Sequence, residues 1–206
     1  DAFSRIIAAL SPAENESHTF VIQDASDQTR EVVLTAKTVV VAQAEHRVVT
    51  DANGVKWGYL LFNSHVDSAQ TPLLNALSDF QRENIGALVV DLRYNSGGYL
   101  AMASALAYGV AGPVQTFGKT FEALRYNDKR STENEDMPFY TTDFDGRDVS
   151  ALNLSKVYVL TSPGTCSASE SFINGLRGIG VEVVQIGGTT CGKPYGFYPT
   201  DNCGTT

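Results

Sequence analysis

The sequence predicts an α/β domain built on a largely parallel sheet, on three observations. From Lys37 onward, runs of strand texture alternate with runs of helical period, the pattern of helices packed on a sheet. The run GALVVDL, residues 86–92, is apolar apart from Asp91 and bounded by glycine, as expected of a strand covered on both faces. KVYVLT (156–161) and VEVVQIGG (181–188) have the same texture and are separated by a helix-period segment, which is the crossover that parallel neighbours need.

Taken in order, SRIIAAL predicts one or two helical turns, and HTFVIQD and REVVLTA predict two short strands around the turn ASDQT. Residues 1–36 thus read as the end of a small β-rich module and its linker, and residues 37–206 as the main domain. TVVVAQAEHRVV, a DANG turn and WGYLLF continue as strands. DSAQTPLLNALSDFQRE carries Leu73, Leu74, Leu77 and Phe80 at helical spacing, opened by Asp67 or Ser68 as cap. LAMASALAYGV predicts the next helix and KTFEALRYN a strand. NDKRSTENEDMPFYTTDFDGRD reads as an acidic, mobile surface loop. KVYVLT, SASESFINGLRGI and VEVVQIGG close the series as strand, helix and strand. No repeat or low-complexity segment interrupts it.

Composition narrows the function. A chain of 206 residues, 43% hydrophobic and 18% charged, can bury a core. Its formal net charge of −8 argues against nucleic acid or an anionic membrane as partner, because both are bound through dense Lys/Arg patches. No apolar run approaches the roughly 20 residues of a membrane span. The start lacks an initiator Met and a signal-peptide layout, so the expectation is a soluble, processed piece. Cys166, Cys191 and Cys203 lack the paired spacing of a zinc site, and the histidines are scattered, so neither metal nor cofactor is expected. Cys191 and Cys203 flank a short loop and are either bridged or two buried thiols.

Three segments carry candidate chemistry. In TSPGTCSASESF, Ser167 to Glu170 forms a capping box, which by itself explains the residues as a helix start. A serine where a buried strand turns into a helix also stands beside free N–H groups and a positive dipole end, which can hold a developing oxyanion. In DLRYNSGG, Gly97 and Gly98 let backbone N–H groups approach a ligand, while Asp91 and Arg93 fix the turn. In GKPYGF, Lys193 has Tyr195, Phe197 and Tyr198 as neighbours that would desolvate the amine, depress its pKa and let it take a serine proton. A phosphate-binding loop is excluded, since Pro194 follows the lysine. Of the histidines only His65, in FNSHVDS, stands at a strand end, either as partner for Ser167 or as a loop residue near the site.

In order, DLRYNSGG, TCSASE and TTCGK resemble the motifs of the C-terminal processing, or tail-specific, serine peptidases. The similarity runs from about Lys37 to Lys193, and WGYLLF with the helix after it fits as well. The resemblance implies a crotonase-like, Clp-protease-like spiral fold preceded by a PDZ-like module, of which residues 1–36 would be the end. It implies that Ser167 attacks the scissile carbonyl, that Lys193 is its base within hydrogen-bond reach, and that Ala168 with Gly97 or Gly98 supplies the oxyanion hole. Asp91, Arg93, His65 and Glu170 are candidate supporting residues. Substrates would be proteins or peptides with an exposed C-terminus, in a periplasmic or secreted setting.

Two departures stand out. Many relatives place a glutamine four residues after the lysine, where this chain has Phe197, and the chain stops soon after Cys203, where relatives continue. They point to an alternative: a weak or inactive relative that binds peptide tails or an apolar small molecule in the same cleft. Acyl-thioester chemistry on the same fold would use the oxyanion donors but has no use for Ser167 paired with Lys193.

Overall fold

The computed structural model describes residues 2–39 and 41–197. The chain divides into two compact units, residues 1–41 and 42–206. In the first, helix α1 (Ala2–Leu10) precedes an antiparallel hairpin of β1 (Ser17–Gln23) and β2 (Thr29–Thr35). The turn is the expected one: the Asp24 carboxylate accepts the N–H groups of Ser26 and Gln28, and Asp27 adopts a positive φ.

The second unit is built on a five-stranded sheet of β3 (Ala44–Thr50), β4 (Lys56–Phe62), β5 (Ala87–Asp91), β8 (Lys156–Thr161) and β9 (Glu182–Gly187), which lie side by side in that order. Only the β3–β4 pair is antiparallel; the other three pairings are parallel, as the alternating texture predicts. The DANG turn joins that hairpin, with Asp51 accepting from the N–H groups of Asn53 and Val55. The strand predicted from Lys37 starts instead at Ala44. Of the apolar residues before it, Val39 and Val41 are exposed, so burial supplies no reason to pair them.

Helix α2 (Gln70–Arg82) buries Leu73, Ala76, Leu77 and Phe80, and the three larger side chains contribute about 1.5–3 kcal/mol each. Its predicted cap is not used. Asp67 and Ser68 lie in a preceding 3₁₀ turn, where Asp67 accepts from the Gln70 side chain at 2.7 Å. Helix α3 (Leu100–Thr116) is interrupted at Gly112, whose φ of 78° precedes Pro113. Leu77 packs so closely on Gly109 that a Cβ there would lie 2.7 Å from its methyl. Helix α4 (Ala168–Gly178) connects β8 to β9 and buries Phe172, Ile173 and Leu176.

The acidic segment expected to be a mobile loop is largely built. Strand β6 (Thr120–Leu124) pairs antiparallel with β7 (Glu135–Pro138), a 3₁₀ segment connects them, and Phe139 is buried in edge contact with Phe121. Arg147 closes the next turn on Asp143. The apolar residues Phe121, Met137 and Phe139 order what its charge suggested was free. Among the described residues, no helix is long and apolar enough to cross a membrane.

Candidate active site

The parallel strands β5 and β8 end side by side, and the turns after them carry two of the three candidate segments. At the end of β5, Asp91 is buried and accepts from the Arg93 guanidinium at 2.7–3.2 Å, the Arg93 N–H at 3.1 Å and the Tyr59 hydroxyl at 2.7 Å. Burial pushes its carboxyl up, but these donors outweigh burial and hold it below the usual range. Both residues therefore brace the turn, as the sequence suggests.

Asn95 organises the glycine turn. Its side-chain oxygen accepts the Gly97 N–H at 2.9 Å and its amide donates to the Phe62 carbonyl at 2.9 Å. His65 Nδ1, 3.0 Å from the same oxygen, must be the donor there, which fixes the tautomer with Nε2 unprotonated. His65 is wholly buried, and desolvation lowers its pKa to about 4, so the ring is neutral. Its Nε2 has no hydrogen-bond partner among the described residues. His65 thus supports the same turn: its N–H donates to the Gly97 carbonyl and its own carbonyl accepts from Tyr99.

The glycines are required where they stand. A Cβ on Gly97 would lie 2.8 Å from the Ser167 Cβ and 2.9 Å from the Cys166 carbonyl, and one on Gly98 would lie 2.2 Å from the His65 carbonyl. Both have positive φ. Because the Gly97 N–H is occupied by Asn95, Gly98 is the one of the pair whose N–H donates to no group among the described residues. The Ala168 N–H, in the first turn of α4, is likewise unused among the described residues.

Ser167 sits between β8 and α4 with φ 55° and ψ −119°, a conformation that costs a non-glycine residue about 1–3 kcal/mol. The turn is held from behind: Cys166 N–H and the Ser169 hydroxyl both donate to the Asn95 carbonyl, and Thr165 Oγ1 to the Leu92 carbonyl. The glutamate half of the capping box is formed, with the Ser167 N–H donating to Glu170 Oε2 at 2.9 Å, while the Glu170 N–H donates to the Ser167 carbonyl at 2.7 Å.

The third segment comes after β9 and lies against this turn. Cys191 N–H donates to the Thr165 carbonyl at 3.0 Å, and Cys191 is disulfide-bonded to Cys166 with a Cα separation of 5.2 Å. This corrects the expected Cys191–Cys203 bridge: β9 runs parallel to β8, so the residues after it return beside the Ser167 turn. Cys203 lies outside the described residues. Glu170 Oε1 accepts from Thr190 Oγ1 and Gly192 N–H, both at 2.7 Å, and Oε2 accepts from Lys193 N–H at 2.9 Å as well as from Ser167. Burial would raise the glutamate's pKa, but the Thr190 hydroxyl and the three N–H groups together hold it below its ordinary value.

Lys193 Nζ lies over the Phe197 ring, 4.4 Å from its centroid. No hydrogen bond joins it to the Ser167 hydroxyl among the described residues, so the direct contact expected from the sequence is not formed. Asn95, Thr165 and Thr190 are site residues that the sequence does not announce. Asn95 lies inside DLRYNSGG, but a turn asparagine gives no sign that it will also meet a histidine from another strand end.

The fold is similar to that of known proteins. An S41 protease assigned from Bacteroides fragilis NCTC 9343 is 32% identical, with a TM-score of 0.67 over 89% of this chain and 50% of that one. The photosystem II D1 C-terminal processing protease is similar in fold, at 19% identity and a TM-score of 0.54 over 87% of this chain and 45% of that one. The chain therefore spans about half the length of each. No curated protein matches it. The family description Peptidase family S41 matches residues 56–196, from β4 through the lysine segment, and with it every candidate side chain from His65 to Lys193. A serine on a strained strand-to-helix turn, backed by a glycine turn, is thus set in the domain that this family shares, and the chain belongs to peptidase family S41.

Proposed function

We propose that this chain is the catalytic domain of a serine endopeptidase of the C-terminal processing type, working through Ser167 and Lys193. One observation carries the reading: the N–H groups of Ser167 and Lys193 bond to the same oxygen, Glu170 Oε2, each at 2.9 Å. The two backbones are brought together from opposite ends of the α4–β9 crossover.

In this mechanism unprotonated Lys193 takes the Ser167 proton as Oγ attacks the scissile carbonyl. The oxyanion forms against the N–H groups of Gly98 and Ala168. Protonated Lys193 then gives its proton to the leaving amine, the C–N bond breaks, and an acyl ester remains on Ser167. Water, deprotonated by the same lysine, attacks the ester and releases a carboxylate. Rotation of the lysine side chain from Phe197 to Ser167 precedes the first step, consistent with catalytic contacts that tighten only when substrate binds. Substrates are proteins or peptides presenting a C-terminus, and the ordered motifs are what support that class.

The same reading takes residues 1–36 as the end of a PDZ-like module and the α/β unit as a crotonase-like, Clp-protease-like spiral. It assigns the protein to a periplasmic or secreted setting, which the Cys166–Cys191 bond supports. The test is labelling with a fluorophosphonate probe alongside cleavage of peptides with apolar C-termini. Ser167→Ala should remove labelling, and Lys193→Ala should abolish turnover with the thermal midpoint unchanged. Full activity in Lys193→Ala would mean that another base operates, with His65 the first to test.

A further inference from the structure

Glu170 has four donors around its carboxylate: Thr190 Oγ1, and the N–H groups of Gly192, Ser167 and Lys193. Each oxygen thus accepts two hydrogen bonds, and all four partners are donors. The Sγ of Cys191 also lies 3.5 Å from Oε2, but in a disulfide it carries no proton and is a packing contact. An ionised carboxylate satisfies this set. An amide does not: turned one way its NH₂ faces the N–H groups of Ser167 and Lys193, and turned the other way it faces that of Gly192.

The position of this group matters as much as its satisfaction. Among the described residues, the segment from Thr190 to Lys193 has no strand partner, and Glu170 and the Cys166–Cys191 bond tie it to the serine turn, together with Cys191 N–H on the Thr165 carbonyl. Position 197, which holds a phenylalanine, offers the lysine only a ring face and no hydrogen bond. The orienting role falls to a group that acts on the lysine backbone.

We propose that Glu170 is the positioning residue of the Ser167–Lys193 pair, holding the lysine backbone in register with the nucleophile through their shared oxygen, Oε2, while the disulfide limits how far the segment can drift. This deepens the reading above and rests on it. Glu170 does not touch substrate. It fixes the point from which the Lys193 side chain swings between Phe197 and Ser167, and a shift of about 1 Å at that point is enough to cost on the order of a hundredfold in rate.

The experiment compares wild type, Glu170→Gln, Glu170→Asp, Thr190→Val and Lys193→Ala in the intact, oxidised protein, by peptide cleavage and by fluorophosphonate labelling of Ser167. Glu170→Gln should lower kcat about tenfold or more while KM stays within about threefold, since the substrate-binding surface is unchanged. Glu170→Asp, which keeps the charge but is one methylene short, should recover part of the rate. Wild-type kcat in Glu170→Gln beside an inactive Lys193→Ala would overturn the positioning role and leave the dyad standing. An active Lys193→Ala would overturn the dyad and, with it, this role. If Glu170→Gln does not fold, Thr190→Val decides: it removes one donor to Oε1 and should lower kcat about threefold, and an unchanged kcat there overturns the proposal.

Discussion

Ser167 concentrates several costs in one residue: a backbone conformation unfavourable for any side chain, a neighbour at Gly97 with no room for a Cβ, and an N–H committed to Glu170. The surrounding hydrogen bonds over-determine that conformation, which is how strained residues persist. The glycines give the sharpest residue-scale test. Gly98→Ala places a methyl 2.2 Å from the His65 carbonyl and removes the positive-φ freedom, so the Gly98 N–H must move. On the mechanism proposed above, hydrolysis should fall about a hundredfold or more, the usual cost of losing one oxyanion donor. Near wild-type rates in a folded Gly98→Ala would remove that N–H from the mechanism. His65 makes a different expectation. Its folded pKa is lowered to about 4 by desolvation, below the ordinary value of 6.5. A group depressed in this way contributes stability above its unfolded pKa and loses it as pH falls toward the folded one. Urea unfolding should therefore weaken progressively between pH 6.5 and about 4, by up to ~3 kcal/mol across the window. A flat profile between pH 7.5 and 5 would show that the ring is not held neutral in the folded state.

At the scale of elements, the site is assembled from the carboxyl ends of parallel strands: β5 delivers the glycine turn, β8 the serine and β9 the lysine segment. Parallel pairing is what makes this possible, because it returns each crossover to the same edge of the sheet. The parallel character of the sheet was legible from the alternating texture, and the turns were legible from DLRYNSGG and TCSASE. The disulfide partner was not. Cys191 and Cys203 are near in sequence, whereas Cys166 comes within 5.2 Å of Cys191 only because β8 and β9 are neighbours, a fact that spacing along the chain does not carry. The bond closes a loop of sequence separation 25, for which chain-entropy arguments give about 3.5 kcal/mol. Treatment with a dithiol, which is itself oxidised to a disulfide and leaves two protein thiols, should lower the urea midpoint accordingly. Activity should fall without vanishing, because Glu170 still holds the segment. An unreduced digest yielding Cys166 and Cys191 in separate peptides would refute the bridge.

For the molecule as a whole, the two units differ in what sustains them. Every buried apolar residue among those described lies at or beyond Ala44, in a core that runs from Leu60 and Phe62 through Leu77 and Phe80 to Phe172 and Leu176. Residues 2–39 and 41 contain no buried side chain among those described, and their hairpin presents Val21, Val33 and Leu34 to solvent. The sequence showed the hairpin but not this imbalance, since alternating apolar residues read alike whether or not anything covers them. The acidic segment misled in the opposite direction: its charges suggested freedom, and two phenylalanines and a methionine decided otherwise. A two-stranded ribbon is at best marginally stable by itself, whereas a sheet covered by helices is not. Cutting the chain between Val41 and Ala42 should therefore leave residues 42–206 folding cooperatively, with a thermal midpoint within a few degrees of the uncut chain and fluorophosphonate labelling of Ser167 retained. The isolated peptide 1–41 should show no cooperative transition. Loss of the transition in residues 42–206 would mean that the first unit supplies stability to the second, and the unit carrying Ser167 would then have to be redrawn to include it.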